Sequence, residues 1–188
     1  FQKTDEKSKI DLMIIRVPEM LDFLTEKFGS YPFDKLGFAT VDNQFPWGGM
    51  ENQTLITLCG NCYNDDLLLH EIAHHWFGDM ISPTRWSDIW LNEGFATYSE
   101  TIWAEKMEGK TQYRRLNKIN ADSYIMTNPG RPIYNKAWDT LTPNNNVLFD
   151  VAMTYNKSGA ILYMLRYVLG DSLFFSSVKQ YATNPDLM

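Results

Sequence analysis

All three histidines of the chain lie within six residues, in the segment His70-Glu71-Ile72-Ala73-His74-His75. On an α-helix each residue turns by ~100°, so His70 and His74 fall on one face, about one turn apart. Two imidazoles in this arrangement can share one Zn²⁺ ion at ~2.0–2.1 Å. Glu71 points just off that face, where its carboxylate can reach a water molecule beside the metal and act as a general base. The pattern predicts metal-assisted hydrolysis; the alternative is a pair of surface histidines with an incidental glutamate.

A catalytic zinc ion usually has three protein ligands and an open position for water. Eighteen residues separate His74 from Glu93, a carboxylate in a second helical stretch. We therefore predict that His70, His74 and Glu93 bind one zinc ion per chain. Glu100, seven residues after Glu93, falls on nearly the same helix face. It is either a hydrogen-bond partner of a ligand imidazole or an exposed acid.

The two histidines need a helix to hold them, and the segment Asn64 to Met80 has the features of one. Asn64 or Asp65 can cap its first turn, where Asp65 and Asp66 suit the positive end of the helix dipole. Apolar residues on roughly the opposite side are expected to anchor this helix in the core: Leu68, Ile72 and Trp76.

The proposed carboxylate ligand needs a second helix, for which Ser87 is a suitable N-cap. Gly94 inside this helix costs about 1 kcal/mol relative to alanine, so we expect it to permit close approach of the histidine-bearing helix. His75 is ~100° from His74 and is expected at the edge of the cleft or in packing. The tryptophans near these motifs are expected in the core rather than in a substrate pocket: Trp47, Trp76, Trp86, Trp90 and Trp103.

The rest of the chain predicts a helix-rich α+β fold with a small sheet near its start. Apolar spacing from Ile10 to Phe28 indicates a helix that is kinked or restarted at Pro18. Strands are predicted at Leu36–Val41 and Glu51–Leu58. A long polar loop is predicted from about Thr127 to Asn146.

Composition limits the classes of protein to which the chain can belong. Its 188 residues suit one domain, residues 1–188, at the usual ~100–200 residues per domain. Hydrophobic residues make up 44% and charged residues 21%, and no window approaches the ~18 apolar residues of a membrane span. The net charge of −6 disfavours a nucleic-acid partner. We expect a soluble acidic domain without a transmembrane segment.

The ends of the chain suggest a fragment. It starts at Phe1 without an initiator methionine or a visible targeting segment, and it ends directly after an amphipathic stretch. We therefore expect a piece of a longer protein. The compartment is left open between the cytoplasm and the cell envelope or secretion.

The two cysteines form the segment Cys59-Gly60-Asn61-Cys62. A C-x-x-C segment can be a redox pair or half of a zinc knuckle, but a second ligand pair is absent nearby. We expect a tight turn whose thiols are either free or joined in a local disulfide. An oxidised pair would weakly favour a cell-envelope setting.

These motifs together resemble the gluzincin zinc peptidases, and specifically the M1 family of aminopeptidases. The histidine and glutamate spacing matches that family, and so does the pattern around Glu93, Trp86-x-Asp88-x-Trp90-Leu91-x-Glu93-Gly94-Phe95-Ala96. Gly48-Gly49-Met50-Glu51-Asn52 is similar to its G-x-M-E-N exopeptidase motif, and Tyr155-Asn156-Lys157 to the start of its Y-x-K-G-A motif. The chain departs from the family at Ser158 and Gly159, which replace Gly-Ala, and at His75, where glutamine is common.

The resemblance implies a thermolysin-like catalytic domain that cleaves peptides with a free N-terminus. Glu51 would hold the α-amine of the substrate, and Gly48 and Gly49 would let the backbone approach the substrate. Met50 and Asn52 belong to the same substrate-binding segment. Tyr155 would donate a hydrogen bond to the oxyanion of the tetrahedral intermediate.

The resemblance also implies a longer protein and two alternative functions. Complete M1 proteins carry a β-rich domain before the catalytic domain and a helical domain after it, and neither fits in this chain. One alternative is a bifunctional enzyme like leukotriene A4 hydrolase, which adds epoxide opening. The other is a non-catalytic zinc-binding protein of the same fold, although Glu71 and the three ligands are all present.

Overall fold

The computed structural model describes residues 7–42, 44–60, 62–127 and 130–187. Most of this part is helical and its strands form one small sheet, so the predicted helix-rich α+β fold is confirmed. In chain order the regular elements are α1 (Lys7–Ile14), α2 (Val17–Phe28), β1 (Gly37–Val41), β2 (Gly49–Met50), β3 (Leu55–Cys59), α3 (Asp65–Ala73), a 3-10 turn (Trp86–Asp88), α4 (Ile89–Glu108), α5 (Lys110–Thr127), a 3-10 turn (Lys136–Asp139), α6 (Asn145–Leu148), a π-helix (Val151–Lys157), α7 (Ser158–Leu169), α8 (Asp171–Ala182) and a 3-10 turn (Pro185–Leu187).

Strand β3 lies in the middle of the sheet, between β1 and β2. It runs parallel to β1, with Leu55 opposite Gly37, and antiparallel to β2, with Leu58 opposite Gly49. The predicted strand Leu36–Val41 is confirmed as β1. The predicted strand Glu51–Leu58 is wrong at its start, because β3 begins only at Leu55.

A local turn replaces the first half of that predicted strand. The Leu55 amide donates to the Asn52 carbonyl at 2.8 Å, and Thr57 Oγ1 donates to Asn52 Oδ1 at 2.9 Å. Thr54 adopts a φ of 64°, which an extended strand does not allow. Side-chain and backbone bonds of this kind compete with strand pairing. Glu51 therefore directly follows the short edge strand β2.

The first two helices confirm the predicted restart near Pro18. Helix α1 ends at Ile14, and α2 begins at Val17 with the proline in its first turn. Proline is tolerated there because the first amides of a helix have no partner inside it.

Helix α4 packs against α3, α5 and α7. A Cβ atom at Gly94 would lie 2.6 Å from Cβ of Ser158 on α7, so the expectation that Gly94 approaches the histidine-bearing helix is wrong. The predicted cap is wrong as well. Ser87 donates its hydroxyl to Asp139 Oδ1 at 2.5 Å, and α4 starts at Ile89 without a side-chain cap.

The core is formed mainly by β3 and helices α2, α3, α4 and α8, with single residues from α1, α5 and α7. Leu68, Ile72 and Trp76 are buried there, as predicted. Trp76 Nε1 also donates to the Gly29 carbonyl at 3.1 Å, which ties the end of α2 to the segment after α3.

The predicted polar loop falls partly outside the described residues, at 128 and 129. Its described part contains the 3-10 turn Lys136–Asp139 and leads into α6. Asp139 accepts hydrogen bonds from Ser87, Arg85 and Tyr134, so this segment is fastened to the start of α4. In the described ranges, none of the helices combines the length and apolar character needed to cross a membrane.

Candidate metal centre and active site

Helix α3 begins as the sequence predicts but ends earlier. Asn64 Oδ1 accepts a hydrogen bond from the Leu67 amide at 2.8 Å. Regular helix stops at Ala73, so the predicted extension to Met80 is wrong. Beyond it the Asp79 amide reaches back to the His74 carbonyl, and Gly78 takes a φ of +147°, outside the helical region. His74 itself keeps helical backbone angles, which preserves its position one turn after His70.

The three predicted zinc ligands meet at one point. Glu93 Oε2 lies 3.3 Å from Nε2 of His70 and 3.3 Å from Nε2 of His74. All three side chains are buried. Within the described residues Glu93 Oε2 has no hydrogen-bond partner, although it is fully enclosed. A buried carboxylate oxygen facing two imidazole nitrogens is the donor set that Zn²⁺ prefers, so these residues fit a zinc ion.

The other nitrogen of each imidazole is held from behind. His70 Nδ1 lies 2.7 Å from Glu100 Oε1, and His74 Nδ1 donates to the Phe77 carbonyl at 3.0 Å. These bonds fix the ring orientations and leave both Nε2 atoms for the metal. Of the two alternatives for Glu100, the structure gives the hydrogen bond to a ligand imidazole.

Electrostatics at this point favours a bound cation. Burial opposes charge on both histidines, yet the Glu100 carboxylate, which is hydrogen-bonded to His70, and the nearby Glu93 carboxylate hold the pKa of His70 well above its usual range. Against the same burial penalty, Glu93 raises the pKa of His74 to about 9. Burial alone would raise the pKa of Glu93, but the two histidines bring it down to about 2. The carboxylates thus hold positive charge in the site, which a metal ion can supply in place of protons.

Glu71 lies beside the ligands and is also buried. Burial raises its pKa to about 7, against the opposing effect of the two histidines. One carboxylate oxygen from each of Glu51 and Glu71 and one nitrogen of His74 lie within 4.8 Å of one another. Glu71 therefore lies close to both Glu51 and His74.

Tyr155 comes from a segment distant in the sequence, the π-helix Val151–Lys157. Its ring stacks on His70 with the ring centroids 5.9 Å apart. Burial raises the pKa of the Tyr155 phenol well above its ordinary value, and the Glu93 carboxylate adds to this effect. The phenol is thus kept protonated as a hydrogen-bond donor.

A cleft of about 910 Å³ joins these groups. Its walls include Gly48, Gly49, Met50 and Glu51 from the predicted substrate-binding segment. Asn52 lies outside the lining and takes part in the turn before β3.

Several residues of the cleft were not singled out from the sequence. Trp47 and Trp86 are 56% and 41% exposed and line it, so the expectation that they lie in the core is wrong; for Trp76 and Trp103 it is confirmed. Trp90 is half-buried. The sequence signal for Trp47 is its place in the turn Pro-Trp-Gly-Gly, because proline and glycine favour turns rather than a helix buried in the core. Other lining residues are Asp66, Ile89, Asn92, Asn145 and Phe149.

His75 and the cysteines take structural positions. His75 is buried against Tyr31 and Phe33, with its Nδ1 2.8 Å from the Tyr31 hydroxyl, which is the packing alternative. Burial lowers its pKa to about 4. Cys59 and Cys62 form a disulfide with Cα atoms 5.2 Å apart, which is the local disulfide among the predicted alternatives.

The arrangement of His70, His74 and Glu93 is typical of a zinc-peptidase site. Comparison with known proteins identifies the family. Residues 14–186 match the peptidase family M1 domain, and the chain belongs to this family. It is 30% identical over 200 residues to endoplasmic reticulum aminopeptidase 2 of Homo sapiens, covering 96% of this chain and 20% of that protein. It is 29% identical over 182 residues to aminopeptidase N of Mus musculus, covering 86% and 19%.

Solved structures share the fold of this chain. The M1 zinc metallopeptidase of Deinococcus radiodurans superposes with a TM-score of 0.73 at 31% identity, covering 89% of this chain and 36% of that one. Leukotriene A4 hydrolase of Saccharomyces cerevisiae gives a TM-score of 0.81 at 19% identity, covering 96% and 30%, which shows the fold alone. The chain spans about a fifth of the length of these curated relatives.

Proposed function

We propose that the protein is a zinc-dependent aminopeptidase and that this chain, residues 1–188, is its catalytic domain. The observation that carries the proposal is the enclosed Glu93 oxygen, which faces Nε2 of both His70 and His74 at 3.3 Å and has no hydrogen-bond partner in the described part of the chain. These residues would bind one zinc ion. Flanking domains of the full-length protein would complete the cleft.

Glu71 acts as the general base of the reaction. A zinc ion held by these ligands would polarise the scissile carbonyl and would lower the pKa of water toward ~7. The Glu71 carboxylate takes the proton of the attacking water and delivers it to the leaving amine. Burial raises the pKa of Glu71 above its ordinary value, which moves it toward the operating pH, where a proton carrier works best.

Tyr155 and Glu51 act on the substrate. The protonated phenol of Tyr155 donates a hydrogen bond to the oxyanion that develops on the scissile carbonyl, a contribution typically worth ~10²–10³ in turnover. Glu51 pairs with the ammonium group at the substrate's N-terminus. Because Glu51 lies close to Glu71, only a peptide whose amine is one residue from the scissile bond can use both groups.

Charge in the cleft supports a cationic N-terminus as the recognised group. Five acids line the cleft, namely Glu51, Asp66, Glu71, Glu93 and Glu100. Among the described residues that line it there is neither lysine nor arginine. The partners are therefore peptides with a free N-terminus, whereas nucleic acid is disfavoured. The epoxide-hydrolase and non-catalytic alternatives have no observation of their own in this cleft.

One comparison tests the proposal. The full-length protein is given a peptide with a free N-terminus and its N-acetylated twin, each with and without a zinc chelator. We expect chelator-sensitive cleavage of the free peptide only. Cleavage of both peptides would contradict the exopeptidase assignment, and cleavage of neither by the zinc-loaded protein would contradict peptidase activity.

A further inference from the structure

The position of the Tyr155 hydroxyl is set by an unusual backbone conformation. The π-helix Val151–Lys157 that carries it is a rare form, found mostly as single turns within α-helices and frequently at functional sites. We propose that Lys157 is a positioning residue, which fixes this π-helix so that the Tyr155 phenol points into the cleft. The inference rests on the proposed function of Tyr155, but Lys157 itself is not among the described residues that line the cleft.

Lys157 joins two other parts of the chain at once. Its ammonium Nζ donates to the Tyr124 hydroxyl on α5 at 3.0 Å and to the Arg131 carbonyl at 3.0 Å. It also lies 4.4 Å from the centroid of the Tyr124 ring, within cation–π range. An ammonium group has three donors and no acceptor, so it suits a position between two oxygen acceptors.

Arg131 closes the connection around the other end of the π-helix. Its guanidinium donates to the Val147 carbonyl at 3.0 Å and lies 5.1 Å from the centroid of the Trp138 ring. Val147 belongs to α6, just before the π-helix begins. Arg131 thus contacts the C-terminal end of the π-helix through its carbonyl and the N-terminal flank through its side chain. We call Lys157, Tyr124 and Arg131 the brace.

The neighbouring side chains show how the brace acts on Tyr155. Tyr155 faces the cleft and stacks on His70. The next residue, Asn156, points to α5, where its Nδ2 donates to Ser123 Oγ at 2.9 Å. Lys157 follows at once and binds the same helix. Because the three residues are consecutive, any shift of the π-helix away from α5 moves the phenol.

The test compares Lys157→Met with Lys118→Met in the full-length, zinc-loaded protein. Lys118 is an exposed residue of α5 that pairs with Asp122 one turn away. The variant Lys118→Met therefore removes one lysine charge without disturbing the brace. We expect Lys157→Met to lower kcat by about 10- to 100-fold, the cost of misplacing a reacting group by about 1 Å, with KM and zinc content unchanged. Lys118→Met should match the parent, and Lys157→Arg should recover part of kcat.

A double variant separates positioning of Tyr155 from general damage. In a Tyr155→Phe background, Lys157→Met should cause little further loss of kcat, because its effect acts through the missing hydroxyl. An equal fold-loss in both backgrounds would overturn the proposal. So would an unchanged kcat in Lys157→Met.

Hydrogen exchange gives a readout that is independent of activity. We expect faster exchange in the peptide covering residues 150–157 for Lys157→Met than for Lys118→Met, and unchanged exchange would overturn the proposal. This readout still tests the brace if Tyr155→Phe itself leaves the rate unaltered, a result that would instead remove the proposed role of Tyr155. If Lys157→Met does not fold, Tyr124→Phe removes one acceptor of the brace and takes its place in both measurements.

Discussion

Gly49 lies so close to Glu71 that a Cβ atom on the glycine would overlap the glutamate side chain from its γ-carbon to its carboxylate. Gly49 belongs to β2, which is held in place by pairing with β3 through Leu58. The Glu71 side chain therefore packs directly against the backbone of the edge strand β2. The sheet therefore sets the position of the proposed general base, a contact that the sequence analysis did not predict.

Replacing Gly49 with alanine tests this contact. The added methyl group should push the Glu71 carboxylate aside and lower kcat by about 10²-fold, because a misplacement of about 1 Å has that effect on a reacting group. Zinc content should stay at one ion per chain, since none of the ligands is touched. Gly37→Ala is the control, because its Cβ would meet the exposed Leu55 side chain at 3.3 Å in the same sheet. Equal rates for both variants would contradict the claim that Gly49 positions the Glu71 carboxylate.

Loss of the Glu93 carboxylate should remove the metal. In Glu93→Ala only two imidazoles remain, and a stable zinc site needs at least three protein ligands. Zinc measured by atomic absorption after dialysis should fall from one equivalent to near zero. The matched variant Glu71→Gln should retain zinc and lose turnover, because it removes a base rather than a ligand. Stoichiometric zinc in Glu93→Ala would show that the ligand set is different.

The hydrogen bond from His70 to Glu100 should influence how tightly the metal is held. Changing Glu100 to glutamine weakens the bond that orients the ring, and substitutions of this kind cost about 10–100-fold in metal affinity. Competition with a chelator of known affinity measures the loss. Glu108→Gln, at the exposed end of the same helix, should leave zinc affinity at the parent value. A parental affinity in Glu100→Gln would mean that Glu100 does not support the ligand.

The histidine pair of the candidate site could be predicted from the sequence because its geometry is local. His70 and His74 are one turn apart on a helix whose cap, Asn64, is also local, so spacing alone places them together. Contacts between distant segments could not be predicted in this way. Ser87 is diverted from its capping role by Asp139, and the length of α3 is limited by a turn around Gly78.

Gly94 illustrates the same difference for packing. A glycine inside a helix signals a close neighbour, but the sequence does not say which one. The neighbour is Ser158, whose Cβ stands where a Gly94 side chain would be placed. The partner lies on α7 and can be identified only once α4 and α7 are packed together.

The double variant Gly94→Ala with Ser158→Gly should test that packing. Gly94→Ala alone overpacks the contact and should lower the free energy of unfolding, since overpacking usually costs about 1–3 kcal/mol. Removing the Ser158 side chain restores the space. Glycine is also the residue that the Y-x-K-G-A motif of the family has at this position. The double variant should therefore be more stable than the sum of the two single changes, by an interaction energy in the range of about 0.5–3 kcal/mol. Denaturant unfolding measures all four proteins, and strict additivity would contradict the contact.

Glu51 should determine which peptides are accepted rather than whether peptide bonds are cleaved. The change Glu51→Gln keeps the shape of the side chain but removes the charge that pairs with the substrate's ammonium group. A hydrogen bond to a charged group is worth ~1.5–3 kcal/mol, so kcat/KM for a free N-terminus should fall by about 10- to 100-fold. The N-acetylated twin, which lacks the ammonium group, should stay at background in parent and variant alike, so the difference between the two peptides should shrink. Zinc content checks that the metal site is intact. If the variant kept the parent's preference, the amine would be recognised by another group in the cleft.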